Sequence, residues 1–587
     1  MADTVQLSDQ FLLASSMKSD PEVHTSKGKR VVSVDDLANT SYRSGQITID
    51  ATSQLNGSSG FASLRESYLT VPYVVSAKNV GENGTTRLSR FACTLKTGVW
   101  NVISDLEVEL NGKQIVTSNE YKNFWNNIRA QTEHSIADVY KHGAENFTQP
   151  DEWYSINYSG IEGNNGDGYA NNSVDNAEGL DTTLGQGQEH RSCNDGLFKR
   201  LCTATPMIVD AGNTDSTYKW ATFAVGAQKQ VVQQHGRGVF VETAAATPGA
   251  IAGVWVFMLK IRLTDLHPIF KELDLISNPQ LKLRYRLNGG ETVIAGTQTQ
   301  IYLEKTTMTS GNTCPIIITS AASNNPMNNV LPAAGSKMSF AFGALQNAHT
   351  STNDISQYLA YTNTRLHIPF YDLIDPRPII NKPIKTVRYL DCYAQYFRDK
   401  AGMGIVAGQH NASFNLSLSS SLKNVKYVCM IPFANTVKTS EEAGKNHWKV
   451  AHGTEQFQSP FDSSPWTNQP GAAFRDWQVQ VGGTNVFPTS HSYDYHSFID
   501  EFSKLGAING DNSREMVNGL IDIDRWTFAH RVMVADCSRL TDKDVPTAIQ
   551  VSGTATTSQG SNLMILVVYE RSLSYDRLTG EVVDYSS

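Results

Sequence analysis

The chain has 587 residues, a formal net charge of −8, 40% hydrophobic and 18% charged residues. That length exceeds what one core fills and suits two large units, and the apolar share excludes a disordered chain. The acidic balance excludes a protein that packs nucleic acid against a basic surface, which needs clustered Lys and Arg.

The first residues, 1–45, read as an N-terminal arm whose small basic cluster, Lys27, Lys29 and Arg30, is a solvated segment. From Gln46 onward, short runs alternate apolar and polar residues and are broken by Gly, Asn and Pro, the pattern of half-buried antiparallel strands. In the first half, strands are expected at 47–51, 68–75, 105–110, 254–263 and 281–287; in the second half at 387–397, 414–418, 425–433, 477–481, 527–534 and 563–569. Helical spacing is confined to 119–132, 266–275 and 495–505, with Asp265 as the expected N-cap of the second. Two irregular stretches, 158–190 and 434–474, read as long insertions, and loops of that length are usually functional surfaces. Between the halves, 306–383 is rich in Asn, Ser, Thr and Pro and reads as a linker. The resulting division is an arm (1–45), a first unit (46–305), a linker (306–383), a second unit (384–571) and a tail (572–587).

An internal duplication is the most informative feature. Asp105-Leu-Glu-Val-Glu-Leu-Asn-Gly-Lys-Gln-Ile-Val-Thr aligns with Asp476-Trp-Gln-Val-Gln-Val-Gly-Gly-Thr-Asn-Val-Phe-Pro at an offset of 371 residues, from 105 to 476. Each copy predicts an alternating strand, a two-residue hairpin turn (Asn111-Gly112, Gly482-Gly483) and a second short strand. An aromatic-rich helix follows in both, with Tyr121, Phe124 and Trp125 in one and Tyr495, Phe498 and Phe502 in the other. A weaker match of Leu64-Arg65 before Tyr68 with Leu422-Lys423 before Tyr427 keeps the same order. The chain therefore reads as two copies of one β domain.

The 7 cysteines form no CxxC pair and are odd in number, which fits reduced thiols better than a disulfide framework. Cys429, inside Tyr427-Val428-Cys429-Met430-Ile431, is expected to be a small buried hydrophobe. The N-terminal residues lack a signal-peptide layout and the longest apolar run, 251–259, is too short for a membrane span, so synthesis inside a cell is expected.

The repeated strand-turn-strand-helix unit, together with Ile261-Arg-Leu-Thr-Asp-Leu-His-Pro-Ile-Phe-Lys-Glu-Leu and Leu422-Lys-Asn-Val-Lys-Tyr-Val-Cys-Met-Ile-Pro-Phe, resembles the major capsid proteins of the double jelly-roll lineage, most closely those of virophages and polinton-like viruses. The resemblance covers most of the chain and rests on order and duplication rather than on a sharp motif. It implies an all-β fold of two tandem eight-stranded jelly-roll β-barrels with short helices and long loop insertions. It also implies a homotrimer with a pseudo-hexagonal footprint, trimers tiling an icosahedral shell of a double-stranded DNA virus, a penton or other minor capsid protein as partner, and location in the virion. It implies no sequence-specific nucleic-acid binding and leaves an internal membrane open.

Candidate subunit contacts are the aromatics of the insertions, Tyr154, Tyr158, Tyr169, Trp448 and Trp466, because Trp and Tyr concentrate at contact hot spots. No catalytic residue, cofactor or metal is expected: HExxH, GxSxG, a Walker A loop and a GxGxxG behind a strand are all missing. His491 and His496, near Asp494, are expected to be solvent-exposed or packing histidines rather than a metal site, and the Asp and Asn spacing of 164–175 lacks the regular repeat or terminal Glu of a calcium loop. Asp522 and Asp524 are expected on the solvent side of a strand, and His235-Gly236-Arg237-Gly238 in a turn. The alternative class is a carbohydrate-active or carbohydrate-binding β-sandwich, an enzyme or an adhesin, which would turn over or bind a glycan.

Overall fold

A computed structural model describes residues 26–37, 46–56, 59–81, 91–96, 98–148, 231–234, 238–242, 251–273, 275–278, 280–296, 301–310, 313–320, 336–349, 362–397, 412–418, 422–434, 474–490, 492–508, 520–528, 531–538, 545–555 and 561–586. The first half holds β1 (Ser26–Asp35), β2 (Ile47–Asp50), β3 (Phe61–Ala62), β4 (Tyr68–Asn79), β5 (Phe91–Leu95), β6 (Ile103–Leu110), β7 (Lys113–Val116), β8 (Val231–Gln234), β9 (Gly238–Glu242), β10 (Ile251–Arg262) and β11 (Leu281–Leu287). Next come β12 (Gly289–Gly296), β13 (Ile301–Ser310), β14 (Ile316–Ser320), β15 (Ser336–Gly343) and β16 (Arg365–Leu373). The second half holds β17 (Ile384–Phe397), β18 (Ala412–Ser417), β19 (Val425–Ala434), β20 (Phe474–Val481), β21 (Thr484–Asn485), β22 (Met533–Asp536), β23 (Ile549–Ala555), β24 (Ser561–Asp576) and β25 (Val582–Ser586). Helices of some length are Phe124–Glu133, Ile136–Asn146 and Tyr495–Ile508.

Strand order identifies the architecture. In the second half, β17-β24-β19-β22 form one antiparallel sheet and β18-β23-β20-β21 another. Counted along the chain from β17, these are strands 1-8-3-6 and 2-7-4-5, the two sheets of a jelly roll. The first half repeats both: β1 pairs β16, β16 pairs β4 and β4 pairs β10 in one sheet, while β2-β11-β6-β7 form the other. The fold is a double jelly roll. Strands β12, β13 and β15 are an insertion between the seventh and eighth strands of the first barrel, and β15 extends its sheet by pairing along β4.

The hairpins that revealed the duplication occupy equivalent places, β6-β7 and β20-β21, each at the same edge of its sheet. Their turns close between Leu110 and Lys113 and between Val481 and Thr484. All four turn residues have positive φ, 47° and 75° at Asn111 and Gly112, 60° and 81° at Gly482 and Gly483. This turn matches the right-handed strand twist but demands residues that tolerate the left-handed region. Alternation then sorts the faces: Val108, Leu110, Leu283 and Tyr285 enter the core, while Arg284 bonds Glu107 (2.5 Å) and Glu109 (2.8 Å) on the solvent side.

Several expectations are corrected. The arm contains β1, and the linker contains half of β13 and all of β14, β15 and β16, so both supply strands to the first half. Strand β1 is an edge strand, β14 and β15 belong to the insertion, and β16 is a barrel strand between β1 and β4 whose Leu366, Ile368 and Phe370 enter the core. The tail is also ordered: β24 runs to Asp576, and β25 pairs Leu573 with Tyr585. Residues 266–275 form a short turn of helix to Leu266 and a 3-10 turn, Pro268–Lys271, instead of one helix. His267, not Asp265, caps it, because Pro268 breaks the run and the His267 ring accepts the Ile269 N–H. Finally, 527–534 is not a strand: Ile523–Phe528 is helical and the strand starts at Met533.

Candidate functional site at the junction of the barrels

The best-defined assembly of polar and aromatic groups among the described residues lies where the two barrels meet. The first barrel contributes a corner made of the exit of β7, the Phe124 helix and the turn after β10. The second contributes the face of β17, β24 and β19. Phe124, Trp125 and Ile128 lie on the outside of the second barrel's sheet, against Cys392, Ala394, Tyr427, Cys429, Ile431, Leu566 and Val568. Strands β17 and β24 are the longest of the second half, and Val387, Tyr389, Leu573 and Tyr575 reach past their own barrel into the core of the first.

Hydrogen bonds stitch this seam. Tyr389 donates to the Ile115 carbonyl (2.8 Å), the Ala394 N–H to Asn119 Oδ1 (2.7 Å) and Trp125 Nε1 to the Tyr427 hydroxyl (3.0 Å). The Glu272 carbonyl accepts from Lys385 Nζ (2.8 Å) and from Tyr575 (3.0 Å).

At its centre is Asp391, whose side chain is 0% exposed. Lys122 of the first barrel makes an ion pair with Oδ1, and Arg571 Nη1 donates to Oδ2 at 2.9 Å. His267 Nε2 donates to Oδ1 (3.2 Å), the Cys392 N–H to Oδ1 (2.8 Å) and Tyr569 to Oδ2 (3.3 Å). Burial opposes ionisation of the carboxyl, but Lys122 and the His267 bond outweigh it and hold Asp391 well below the usual carboxylate range. His267 Nδ1 accepts the Ile269 N–H, so the ring proton sits on Nε2 and the imidazole is neutral. Burial, offset in part by Asp391, lowers its pKa to about 4. The arrangement carries no exposed nucleophile or paired acid and base; what it does chemically is clamp two barrels with buried charge.

Beside the clamp is a groove of about 650 Å³ lined by Trp125, Arg129, Tyr389, Tyr427, Phe502 and Glu570, among others. Glu570 pairs there with Lys426 at 3.1 Å.

The five aromatics expected at subunit contacts, Tyr154, Tyr158, Tyr169, Trp448 and Trp466, lie outside the described residues, as do the insertion 158–190 and nearly all of 434–474. His235, His491 and residues 164–175 lie outside them too. His496 is exposed, and Asp494 caps the Tyr495 helix by accepting the Ser497 N–H at 2.8 Å, a bond that lowers its pKa. Asp522 is exposed immediately before a helix, not on a strand side. Lys29 of the basic cluster bonds Glu66 (2.5 Å), and Arg30 lies over the Phe370 ring. Among the described residues, five cysteines are free and buried, and no group of three or more His, Cys, Asp or Glu could hold a metal. No described helix is long and apolar enough to cross a membrane.

Sequence reasoning missed Asp391, Lys122, His267 and Arg571. One signal was present: Asp391 is a carboxylate within an aromatic strand, Tyr389-Leu390-Asp391-Cys392-Tyr393, where burial demands a cation from elsewhere.

No family model and no curated protein matches the chain. Among solved structures, it is similar to a chain in the cryo-EM structure of the Sputnik virophage, with 12% identity, a TM-score of 0.48 and coverage of 96% of this chain and 89% of that one. It is also similar to the mavirus major capsid protein (12%, TM-score 0.39, 94% and 89%) and the Faustovirus major capsid protein (10%, TM-score 0.43, 94% and 91%). The fold assignment itself rests on the strand order described above.

Proposed function

We propose that the chain is a major capsid protein that self-associates as trimeric, pseudo-hexameric capsomers, which tile the icosahedral shell of a double-stranded DNA virus, and that it has no enzymatic role. The observation that carries this reading is the fusion of two jelly rolls through a buried, charge-clamped seam, from Lys122 and His267 to Asp391. A shell subunit must keep its two barrels at a fixed angle, because an error at one seam is multiplied at every repeated contact. Fixed, closed β-barrels hide most of their strand edges and present rigid faces for such contacts.

In this reading each barrel is one unit, the second beginning at about residue 384, and the insertion aromatics Tyr154, Tyr158, Tyr169, Trp448 and Trp466 contribute to contacts between copies. The partners are further copies and a penton or minor capsid protein, and the protein resides in the virion. Size exclusion with light scattering and electron microscopy of the purified protein tests the proposal. Trimers with a hexagonal outline and shell-like particles are expected; a strict monomer overturns it.

A further inference from the structure

The intrachain seam is a template for a second contact. Within the chain, the corner of the first barrel sits on the face of the second built by β17 and β24. The second barrel owns the equivalent corner: β21 matches β7 in its sheet, and the Tyr495 helix starts 371 residues after the Phe124 helix, the same offset as the duplicated hairpins (from 124 to 495). The first barrel owns the equivalent face: β1 and β16 match β17 and β24. Neither is used by its own chain in the way its counterpart is. Among the described strands β1 pairs with β16 alone, and most of its residues are exposed, Val31 among them at 50%.

The chemistry of this unused pair differs from that of the seam. The outer face of the second barrel's sheet is apolar and sealed beneath the Phe124 helix together with the second barrel's own Phe498, Phe502 and Trp526. The corresponding face of the first is polar on its β1 and β16 side, where His367 bonds Ser33 (2.8 Å) and Thr70 (2.9 Å) and stacks on Tyr68, with Lys260 over that ring; its β4 and β10 side is apolar and covered within the chain by Leu345 and Ala348. Exposed cations gather at its edge, Lys27, Lys29 and Arg30 on β1 and Arg65 in the turn before β4, against Asp35 and Glu66. The second barrel's corner has the opposite sign. Among its described residues, Asp494, Asp500 and Asp522 are exposed. Phe498, Ile499 and Phe502 of the Tyr495 helix turn toward their own barrel, which leaves a polar side outward. Ile523 (52% exposed) and Val545 (57%) add apolar contact.

We infer that the basic β1 edge of the first barrel seats the acidic, helix-bearing corner of the second barrel of another copy, in a head-to-tail contact governed by charge. This rests on the capsomer reading above and deepens it: the seam inside a chain is dry and permanent, whereas the seam between copies is polar and tuned by ionic strength. Head-to-tail contacts close into rings when the rotation allows, and here each copy supplies one corner and one face. Opposite charge steers such docking and fixes its register.

The test uses the full chain and light scattering at about 0.1 M and about 1 M NaCl, across which the Debye length falls from about 10 Å to about 3 Å. The wild type is expected to be trimeric at low salt and to dissociate measurably at high salt. Lys27→Glu with Arg65→Glu should raise the apparent dissociation constant by about tenfold or more, and adding Asp500→Lys with Asp522→Lys in the same chain should restore most of it. All four side chains are exposed, and an unchanged circular dichroism spectrum and melting temperature verify folding. Independently, copies carrying Val31→Cys should cross-link under oxidation to copies carrying Val545→Cys, and neither set should do so alone. A trimer that ignores salt and both charge sets and does not cross-link overturns the inference while leaving the capsomer reading intact. A chain monomeric at both salts removes both.

Discussion

Replacing Asp391 by Asn tests the clamp with one atom changed in kind. The amide is the size of the carboxylate, so packing is kept, but the only anion among the groups that bond Lys122, His267 and Arg571 is lost. Lys122 and Arg571 are then 7% and 8% exposed side chains with cationic heads and no counter-charge at the node. Breaking a buried pair in this way costs about 3–5 kcal/mol, far above the roughly 0–1 kcal/mol of a surface pair. For a barrel of this size, that amounts to a drop on the order of 10 °C in melting temperature. Because the network bridges the barrels, calorimetry should also show one transition splitting into two as the second barrel loses its coupling to the first. Adding Lys122→Met removes one of the stranded cations and should recover part of the loss, so the double-mutant cycle yields a coupling of about 2 kcal/mol or more. A loss under about 1 kcal/mol for Asp391→Asn, or additive single and double variants, would refute the clamp.

The acid side of the stability profile follows from the same node. His267 titrates at about 4 when folded and near 6.5 when unfolded, so the unfolded chain binds more protons between these values. Its contribution is full above pH 6.5 and falls as pH drops to 4, by about 3 kcal/mol. Asp391 adds a further loss below about pH 4; denaturant titrations of wild type and His267→Gln should differ in slope across pH 4–6.5, and parallel curves would contradict the assignment. Gly98→Ala should destabilise by over 2 kcal/mol, since its Cβ would lie 2.5 Å from the Trp100 ring at a φ of 90°; Gly483→Ala, with open space around it, should cost only about 1 kcal/mol in thermal melts. Of the 7 cysteines, Cys93, Cys314, Cys392, Cys429 and Cys537 are buried, and burial raises the Cys429 thiol pKa. A thiol reagent should therefore modify no more than the other two before unfolding; mass spectrometry reporting more would be incompatible with the packing.

Period-two alternation was enough to find β11 at its true bounds and β4, β6, β10, β17, β19, β20 and β24 to within their cores, because each has one face in a barrel interior. The same rule failed where a strand is mostly exposed or where the residues around it are polar, even though Ile316, Ile318, Met338, Phe340 and Phe342 enter the core. β1 is mostly exposed, so its Lys27-Gly28-Lys29-Arg30 reads as solvated chain. Strands β14 and β15 sit among Asn, Ser and Pro that look like linker. Trp526 misled in the other direction: its burial, with Nε1 bonded to the Val532 carbonyl at 2.9 Å, comes from a helical turn, not a strand. The site was less legible than the fold. Asp391 lies 124 residues from His267 and 180 from Arg571, and no local pattern links groups at such separations.

The duplication accounts for the topology, but the difference between the copies accounts for which barrel face is covered by the other barrel within the chain. Both barrels have the same eight-strand order, so both own the same two surfaces, a corner and a sheet face. In the second barrel the face became apolar, with Cys429, Ile431, Leu566 and Val568 pointing outward, and such a face is insoluble unless covered. The cover is shared between the second barrel's own Phe498, Phe502 and Trp526 and the first barrel's Trp125 helix, a partner tethered in the same chain at high effective concentration. In the first barrel only the β10 side of the face is apolar, where Val74, Val254 and Val256 are covered by the chain's own Leu345 and Ala348; toward β1 it is polar, with His367, Tyr68 and Lys260 engaged with one another and Lys260 paired to Glu145. The β17 and β24 side of the second barrel is therefore filled as the chain folds, and under the proposed contact the polar β1 side of the first is left for another copy. That ordering, intrachain seam first and intercopy contact second, is what a subunit needs if it is to fold alone and assemble afterwards.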